Sequence, residues 1–247
     1  MKIAVVIPTF ERTKKLGRCL DALYNSSYKN FEVFVYADGD DVSTLVYCLV
    51  YDFSRGIKPT NCEVNHKQIS VIGSWNKFFK EHINESWDAV LWLCDDTKIY
   101  PNALELAVNS MKEHFPNLDG IIGFTQTCPT KKKFVYKPYG QILIGKKFVE
   151  RFKDVNYQVC CPFYTFFWQD YELWQYATSL NKFYHCEEAK LIHYHPGYLI
   201  IEKDKTHEIV RGDSLKKDKI IHKEREKRNL IWGKSWESIE DYDKKTR

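Results

Sequence analysis

Residues 2–23 read KIAVVIPTFERTKKLGRCLDAL, and this stretch decides the fold. Its first six residues end in an unbroken, largely β-branched apolar run, the pattern of a strand buried on both faces, and Pro8 closes it. Thr13 stands where a helix cap belongs, and Leu16, Leu20 and Leu23 recur at helical spacing behind it. A strand that runs directly into a helix is half of a β-α-β unit.

The unit recurs. Phe31 to Ala37 (FEVFVYA) predicts a second strand that ends in the turn-rich ADGDD, and Ser43 to Phe53 is helical by its Leu45, Val46, Leu49, Val50 stripe. A short strand is expected around Ile69 to Ile72, followed by a helix from Ser74 to Ile83. Asp88 to Cys94 predicts the next strand, Leu104 to Phe115 a helix behind Pro101, and Asp119 to Thr125 another strand. Repeated units of this kind predict a mostly parallel, doubly wound α/β sheet. Ligands bind such sheets at the carboxyl ends of the strands. Thr9, Asp38 and the Asp95/Asp96 pair should therefore gather along one edge.

The second half is less regular. The basic stretch TCPTKKKFVYKPYG (127–140) predicts a loop or hairpin over the site. Gln141 to Ile144 with Gly145 reads as a short returning strand, and Lys147 to Phe152 as a short helix. An aromatic segment then becomes helical from about Asp170. A charge-rich helix over Ser214 to Asn229 closes the chain, in a segment (201–247) that holds 14 Lys/Arg against 11 Asp/Glu.

Composition narrows the function. A formal net charge of +4 on 37 basic and 33 acidic residues implies no general polyanion-binding surface. The eight cysteines show no CxxC and no zinc-ligand spacing, and read as buried, reduced thiols. No stretch approaches the length of an apolar membrane span, and the N-terminal run is too short for a signal segment, so an intracellular, cytoplasmic protein is expected.

The residues VLWLCDDT (90–97) drive an apolar strand into two carboxylates. Two ionised acids at a buried strand end repel each other unless a cation or hydrogen-bond donors compensate. Mg²⁺ or Mn²⁺ would do so, because both prefer oxygen ligands and bridge carboxylates to phosphates. The alternative is that both are turn residues, with Asp96 capping the helix after Pro101. Pro8, Thr9, Glu11 and Arg12 after the first strand and Asp38 after the second form a set able to hold a nucleotide, although Pro-Thr and Asp-Gly turns are individually common.

Together, VVIPTFERTKKLGRCLDAL, FEVFVYADGDD and AVLWLCDDTKIYPNAL resemble the start of a glycosyltransferase family 2 enzyme with the GT-A fold, over roughly residues 1 to 115. The resemblance implies transfer of a sugar from a nucleotide-sugar donor to an acceptor hydroxyl, with inversion, assisted by Mn²⁺ or Mg²⁺. It implies donor contacts from Pro8, Thr9, Glu11, Arg12, Asp38, Asn76, Asp95 and Asp96, with Asp38 on the base and Asp95 near the ribose. Asp96 takes the metal position of the DxD-like motif, with His193 or His195 from AKLIHYHPGY as further metal candidates. This chain departs from the family by carrying Cys94 in place of the first acid of that motif and Trp75 where an arginine often precedes Asn76.

In WQDYELW, Gln169 replaces the first acid of the family's ED motif and Asp170 falls on the general-base position, with Glu172 as the alternative base. Phe166, Phe167, Trp168, Tyr171 and Trp174 fit an acceptor-sugar platform, or else the core face of an amphipathic helix. Lys205, His207 and Arg211 form a weaker candidate diphosphate clamp. The implied organisation is a GT-A domain over 1–200, its donor half at 1–125 and acceptor half at 126–200, with a helical extension over 201–247. A glycan, lipid-linked sugar or protein is the expected acceptor, and the basic tail leaves a nucleic acid open. The competing readings are a non-catalytic nucleotide-sugar or glycan-binding module and a nucleotidylyltransferase. The absence of a glycine between Pro8 and Lys15 counts against the latter.

Overall fold

The computed structural model describes residues 1–56, 60–127, 138–194, 204, 206, 208 and 210–234. Its centre is an eight-stranded sheet. In chain order the strands are β1 (Ile3–Thr9), β2 (Phe31–Ala37), β3 (Asn61–Val64), β4 (Ala89–Trp92), β5 (Thr97–Ile99), β6 (Ile121–Thr127), β7 (Ile142–Gly145) and β8 (Phe183–His193). Across the sheet they run β3-β2-β1-β4-β7-β6-β8-β5. The half built from the first β-α units is parallel throughout. Beyond β4, β7 runs antiparallel between β4 and β6, and β8 is parallel to β6.

The helices are α1 (Thr13–Tyr24), α2 (Val42–Arg55), α3 (Ser70–His82), α4 (Ala103–His114), α5 (Lys146–Val149), α6 (Gln169–Ser179) and α7 (Leu215–Lys227). They cover two faces. Leu16, Leu20 and Leu23 of α1 join Ile3, Val5 and Ile7 of β1 and the inner residues of α4 in one cluster. Ala4, Val6, Val90 and Trp92 on the other face pack with α3, α5 and α6. Alternation along the strands thus feeds two cores, which is why Ile3–Ile7 of β1 and all of β4 are apolar. The segment expected as a C-terminal extension supplies Ile221 and Trp232 to the second cluster.

Three local expectations change. The strand expected at Ile69–Ile72 is the entry to α3, because the Asp38 carboxylate accepts the backbone N–H groups of Ile69 (2.8 Å) and Ser70 (2.9 Å) and starts the helix there. The third strand lies earlier, at Asn61–Val64, and a three-residue strand, β5, follows the Asp95/Asp96 pair. The apolar stripe of α2 faces outward: Val46, Leu49 and Val50 are 54%, 61% and 61% exposed, whereas Thr44, Cys48, Tyr51 and Asp52 are buried. No helix among the described residues is long and apolar enough to cross a membrane.

Candidate active site

The parallel strands deliver their carboxyl ends to one cleft of about 220 Å³. Pro8, Thr9 and Arg12 from the end of β1, Asp38 from β2, Cys94, Asp95 and Asp96 from β4, and His193 from β8 line it. Its inner wall is electrostatically organised. Asp95 is 3% exposed and accepts Thr9 Oγ1 at 2.7 Å and Arg12 Nη1 at 3.0 Å. The same Arg12 nitrogen stands 3.7 Å from Asp96, and the guanidinium also bonds Asp204 twice at 2.9 Å. Burial raises the Asp95 carboxyl above the ordinary range, Arg12 pulls it back, and Asp96 raises it again. One guanidinium therefore holds two adjacent buried acids in place.

The turn between β4 and β5 aims these side chains. Thr97 donates both its N–H (3.2 Å) and its hydroxyl (2.6 Å) to the Cys94 carbonyl, so the chain reverses tightly around Asp95 and Asp96. β5 then pairs antiparallel with β8, which sets Thr97 opposite His193. His193 Nε2 consequently lies 3.1 Å from Asp96 Oδ1. Cys94 Sγ, an Asp96 oxygen and a His193 nitrogen all fall within 4.8 Å of one another, a donor set that fits a divalent cation. Burial, then the charge of Asp96, raises the Cys94 thiol well above its ordinary value.

Asp38 lines the cleft, but each of its oxygens also accepts a backbone N–H from the start of α3. Burial raises its carboxyl, and those bonds oppose the rise. Gly39 follows in a left-handed conformation, and a Cβ there would press on the Phe10 ring, so glycine is required at this strand end.

A second cavity, of about 410 Å³, is lined by Tyr139, Trp168, Gln169, Asp170, Tyr171, Leu215 and His222. Phe166 and Phe167 line both cavities, so the two adjoin across this pair. Trp168 stacks on His222 at 5.2 Å, and Tyr171 stacks on Trp174 at 5.6 Å. Trp174 belongs to this aromatic group through Tyr171 and Tyr139 and does not line the cavity itself. Trp168 begins α6 in a left-handed conformation, φ 67°, which a bulky residue adopts only when its surroundings impose it.

Three expected site residues are engaged elsewhere. Glu172, 2% exposed, accepts Arg225 Nε at 2.7 Å, Arg225 Nη2 at 3.0 Å, Tyr164 Oη at 2.6 Å and Trp232 N at 2.9 Å. Its carboxylate anchors α7 and the chain after it, and a base needs a free lone pair beside the acceptor. Asn76 spends its amide on the backbone of Cys160, accepting at 2.9 Å and donating at 2.9 Å, and does not line the donor cleft. Glu11 is exposed and outside both linings, while its N–H bonds Asp41. His195, Lys205 and His207 lie outside the described residues, as does the side chain of Arg211.

Sequence reasoning missed the contribution of α7. Asp218, fully buried, accepts the N–H groups of Thr165 (2.9 Å), Phe166 (2.8 Å) and Phe167 (2.9 Å), fixing the loop shared by the two cavities. It missed Gln126 and Gln141 beside His193 and Cys94. No local signal marks any of the three, since their partners are distant in sequence.

The sequence profile described as Glycosyl transferase family 2 matches residues 4–174. The chain belongs to this family. Glycosyl transferase family 2 membership covers β1 through the start of α6, so both cavities fall largely within the matched region. No curated protein sequence matches the chain. Among solved structures it is similar to the mannosyltransferase PcManGT from Pyrobaculum calidifontis, in complex with GDP-Man and Mn²⁺. That likeness has a TM-score of 0.63 at 11% identity and covers 90% of this chain and 64% of the other. It is also similar to S. aureus TarS 1-349 (TM-score 0.57, 15% identity, 78% of this chain and 60% of that one). GalNAc-T7 with UDP, GalNAc and Mn²⁺ gives a TM-score of 0.59 at 11% identity, over 78% of this chain and 44% of that one. The chain thus spans less than two thirds of the length of these glycosyltransferases, and the likeness shows a shared GT-A fold.

Proposed function

We propose that the protein transfers a sugar from a nucleoside-diphosphate sugar to an acceptor hydroxyl with inversion, the donor lying in the cleft of Asp38, Asp95 and Asp96 and the acceptor in the adjoining cavity of Asp170. The observation that carries this reading is the pair of cavities joined at Phe166 and Phe167, one lined by strand-end acids and the other by a carboxylate among aromatic rings. The neighbours bound to UDP or GDP-Man support a nucleotide-sugar donor.

In the proposed reaction the acceptor oxygen attacks the anomeric carbon as the bond to the diphosphate breaks, and Asp170 takes the hydroxyl proton. Gln169 has a buried side-chain oxygen with no hydrogen-bond partner among the described residues, and it lines the same cavity, where an acceptor hydroxyl would satisfy it. Trp168 and Tyr171 offer ring faces to the apolar side of a sugar. On the donor side, Asp96 and His193 would hold a divalent cation, Mn²⁺ being the ion seen with two of the neighbours. Such an ion supplies Lewis-acid neutralisation of the leaving diphosphate. Thr9 and Arg12 keep Asp95 turned into the cleft for a ribose hydroxyl. The seven described cysteines are free thiols, which supports a reducing, cytoplasmic setting.

The test is a panel of nucleoside-diphosphate sugars with Mn²⁺, read as nucleotide-diphosphate release and as sugar transfer. Release with at least one donor, lowered about a hundredfold or more in Asp170→Asn with donor binding retained, is the expected result. A protein that binds nucleotide diphosphates but releases none from any donor, and for which Asp170→Asn changes nothing, would be a nucleotide-sugar-binding module instead.

A further inference from the structure

The residue that breaks the acidic motif of the donor cleft is not an idle replacement. Cys94 Sγ converges with Asp96 and His193, and His193 and Cys94 each have a buried amide behind them. Gln126 Oε1 lies 2.9 Å from His193 Nδ1 and orients the ring, so that Nε2 faces Asp96 Oδ1 at 3.1 Å. On the other side, Gln141 Nε2 donates to Cys94 Sγ at 3.1 Å, while its Oε1 accepts Cys94 N at 2.8 Å and fixes the residue. One amide thus orients both the sulfur and the backbone of Cys94. Gln126 and Gln141 are 5% and 1% exposed, so both supports are held in place. Outer partners that orient a metal-binding imidazole and sulfur in this way are a usual part of a metal site.

We propose that Cys94 is itself a metal ligand, and that the Cys94, Asp96, His193 set selects a thiophilic divalent ion of the Zn²⁺ or Co²⁺ kind over Mn²⁺ and Mg²⁺. Thiolate and imidazole donors suit the later ions, and Mn²⁺ lies lowest in the affinity order of the transition ions. Three protein ligands of mixed S, N and O type leave a fourth, open position, the arrangement of a catalytic zinc site. On binding, the sulfur–metal bond replaces the S–H bond and the proton passes to solvent. The proposed function enters only in assigning the open position to a diphosphate oxygen; the ligand set stands on its own geometry.

The experiment uses the full chain, stripped with chelator and titrated separately with Zn²⁺, Co²⁺, Mn²⁺ and Mg²⁺ by calorimetry and by absorbance. Zn²⁺ and Co²⁺ should bind roughly a hundredfold more tightly than Mn²⁺. Co²⁺ should produce a sulfur-to-metal charge-transfer band in the near ultraviolet. Cys94→Asp should abolish that band and bring Zn²⁺ and Mn²⁺ affinities closer, Gln141→Ala should weaken Zn²⁺ by about tenfold, and Cys62→Ser should leave the band intact. Should Cys94→Asp not fold, the unmodified protein still decides: Zn²⁺ should protect Cys94 from alkylation, read by peptide mass. An absent cobalt band, equal alkylation with and without Zn²⁺, or Mn²⁺ binding as tight as Zn²⁺ overturns the proposal. Nucleotide-diphosphate binding is measured alongside, so that a cobalt–thiolate band without nucleotide affinity would count against the donor cleft and not against the ligand set.

Discussion

Arg225 on α7 grips Glu172 on α6 through two nitrogens, at 2.7 and 3.0 Å, and both side chains are almost completely buried. Removing Arg225 would leave a buried carboxylate without its cation. Arg225→Met should therefore destabilise the protein by about 3–5 kcal/mol. The double variant Glu172→Gln/Arg225→Met should recover a sizeable part of that loss, because the uncompensated charge goes with its partner. Denaturant melts of the three proteins measure this, and equal losses for single and double variants would show that the pair contributes through shape alone.

Asp218 acts on the same region by another route. It accepts three consecutive backbone N–H groups from Thr165, Phe166 and Phe167, the loop that both cavities share. Asp218→Ala should cost about 1–3 kcal/mol by orphaning buried donors. Looser placement of Phe166 and Phe167 should raise the KM for acceptor, and Asp218→Asn, which keeps an acceptor oxygen, should fall between. Steady-state kinetics on a donor found by the panel would check it; a change in kcat with both KM values constant would contradict a positioning role.

Asp119 carries a pH dependence whose sign can be stated. Arg151 bonds it at 2.8 and 2.6 Å and Lys182 stands 3.3 Å away, so its carboxyl is held below the ordinary value, chiefly by Arg151, against a smaller opposing effect of burial. The folded state releases this proton more readily than the unfolded chain does. The stabilisation is therefore complete above the unfolded value and is lost as pH falls through the folded one. Asp119→Asn should cost about 2 kcal/mol near neutrality. The gap between variant and parent should close below about pH 4. Melts across that range test it, and a gap that widens on acidification would reverse the sign.

The outward stripe of α2 yields a contrast within one helix. Val46→Lys and Leu49→Lys, at positions more than half exposed, should change stability by less than about 0.5 kcal/mol. Cys48→Asp, at a position 1% exposed on the opposite face, should cost about 3 kcal/mol or more. The reverse ranking would place the helix in the register that its apolar residues first imply.

Much of the scaffold is legible along the chain because local patterns specify it. The Ile3–Ile7 run and the leucines of α1 are short-range features, and the parallel pairing of β1 with β2 and β4 follows from the connections between them, whereas Thr13, expected as a cap, is the first residue of α1 and Arg12 precedes it with no side-chain cap bond. The strand-end positions of Thr9, Asp38, Asp95 and Asp96 follow as well, since a parallel sheet brings its carboxyl ends to one edge. The division of labour among similar side chains is not local. Asp170 and Glu172 are two residues apart on one helix and so face different ways. What sends one to a cavity and the other into a buried ion pair is Arg225, 53 residues later. The amide of Asn76 goes to Cys160, 84 residues away, for the same kind of reason.

Cys94 shows the boundary most clearly. In sequence it is a gap in an acidic motif, and only the pairing of β5 with β8, which lays His193 beside Asp96, turns it into one corner of a three-ligand cluster. Periodicity and turn chemistry act over a few residues, so most strands and helices, and the edge where the acids collect, are written along the chain, while the short strands β3 and β5 are not. Which of those groups are free to act and which are bound by a buried partner is set by contacts between distant segments, and the tertiary structure alone decided that.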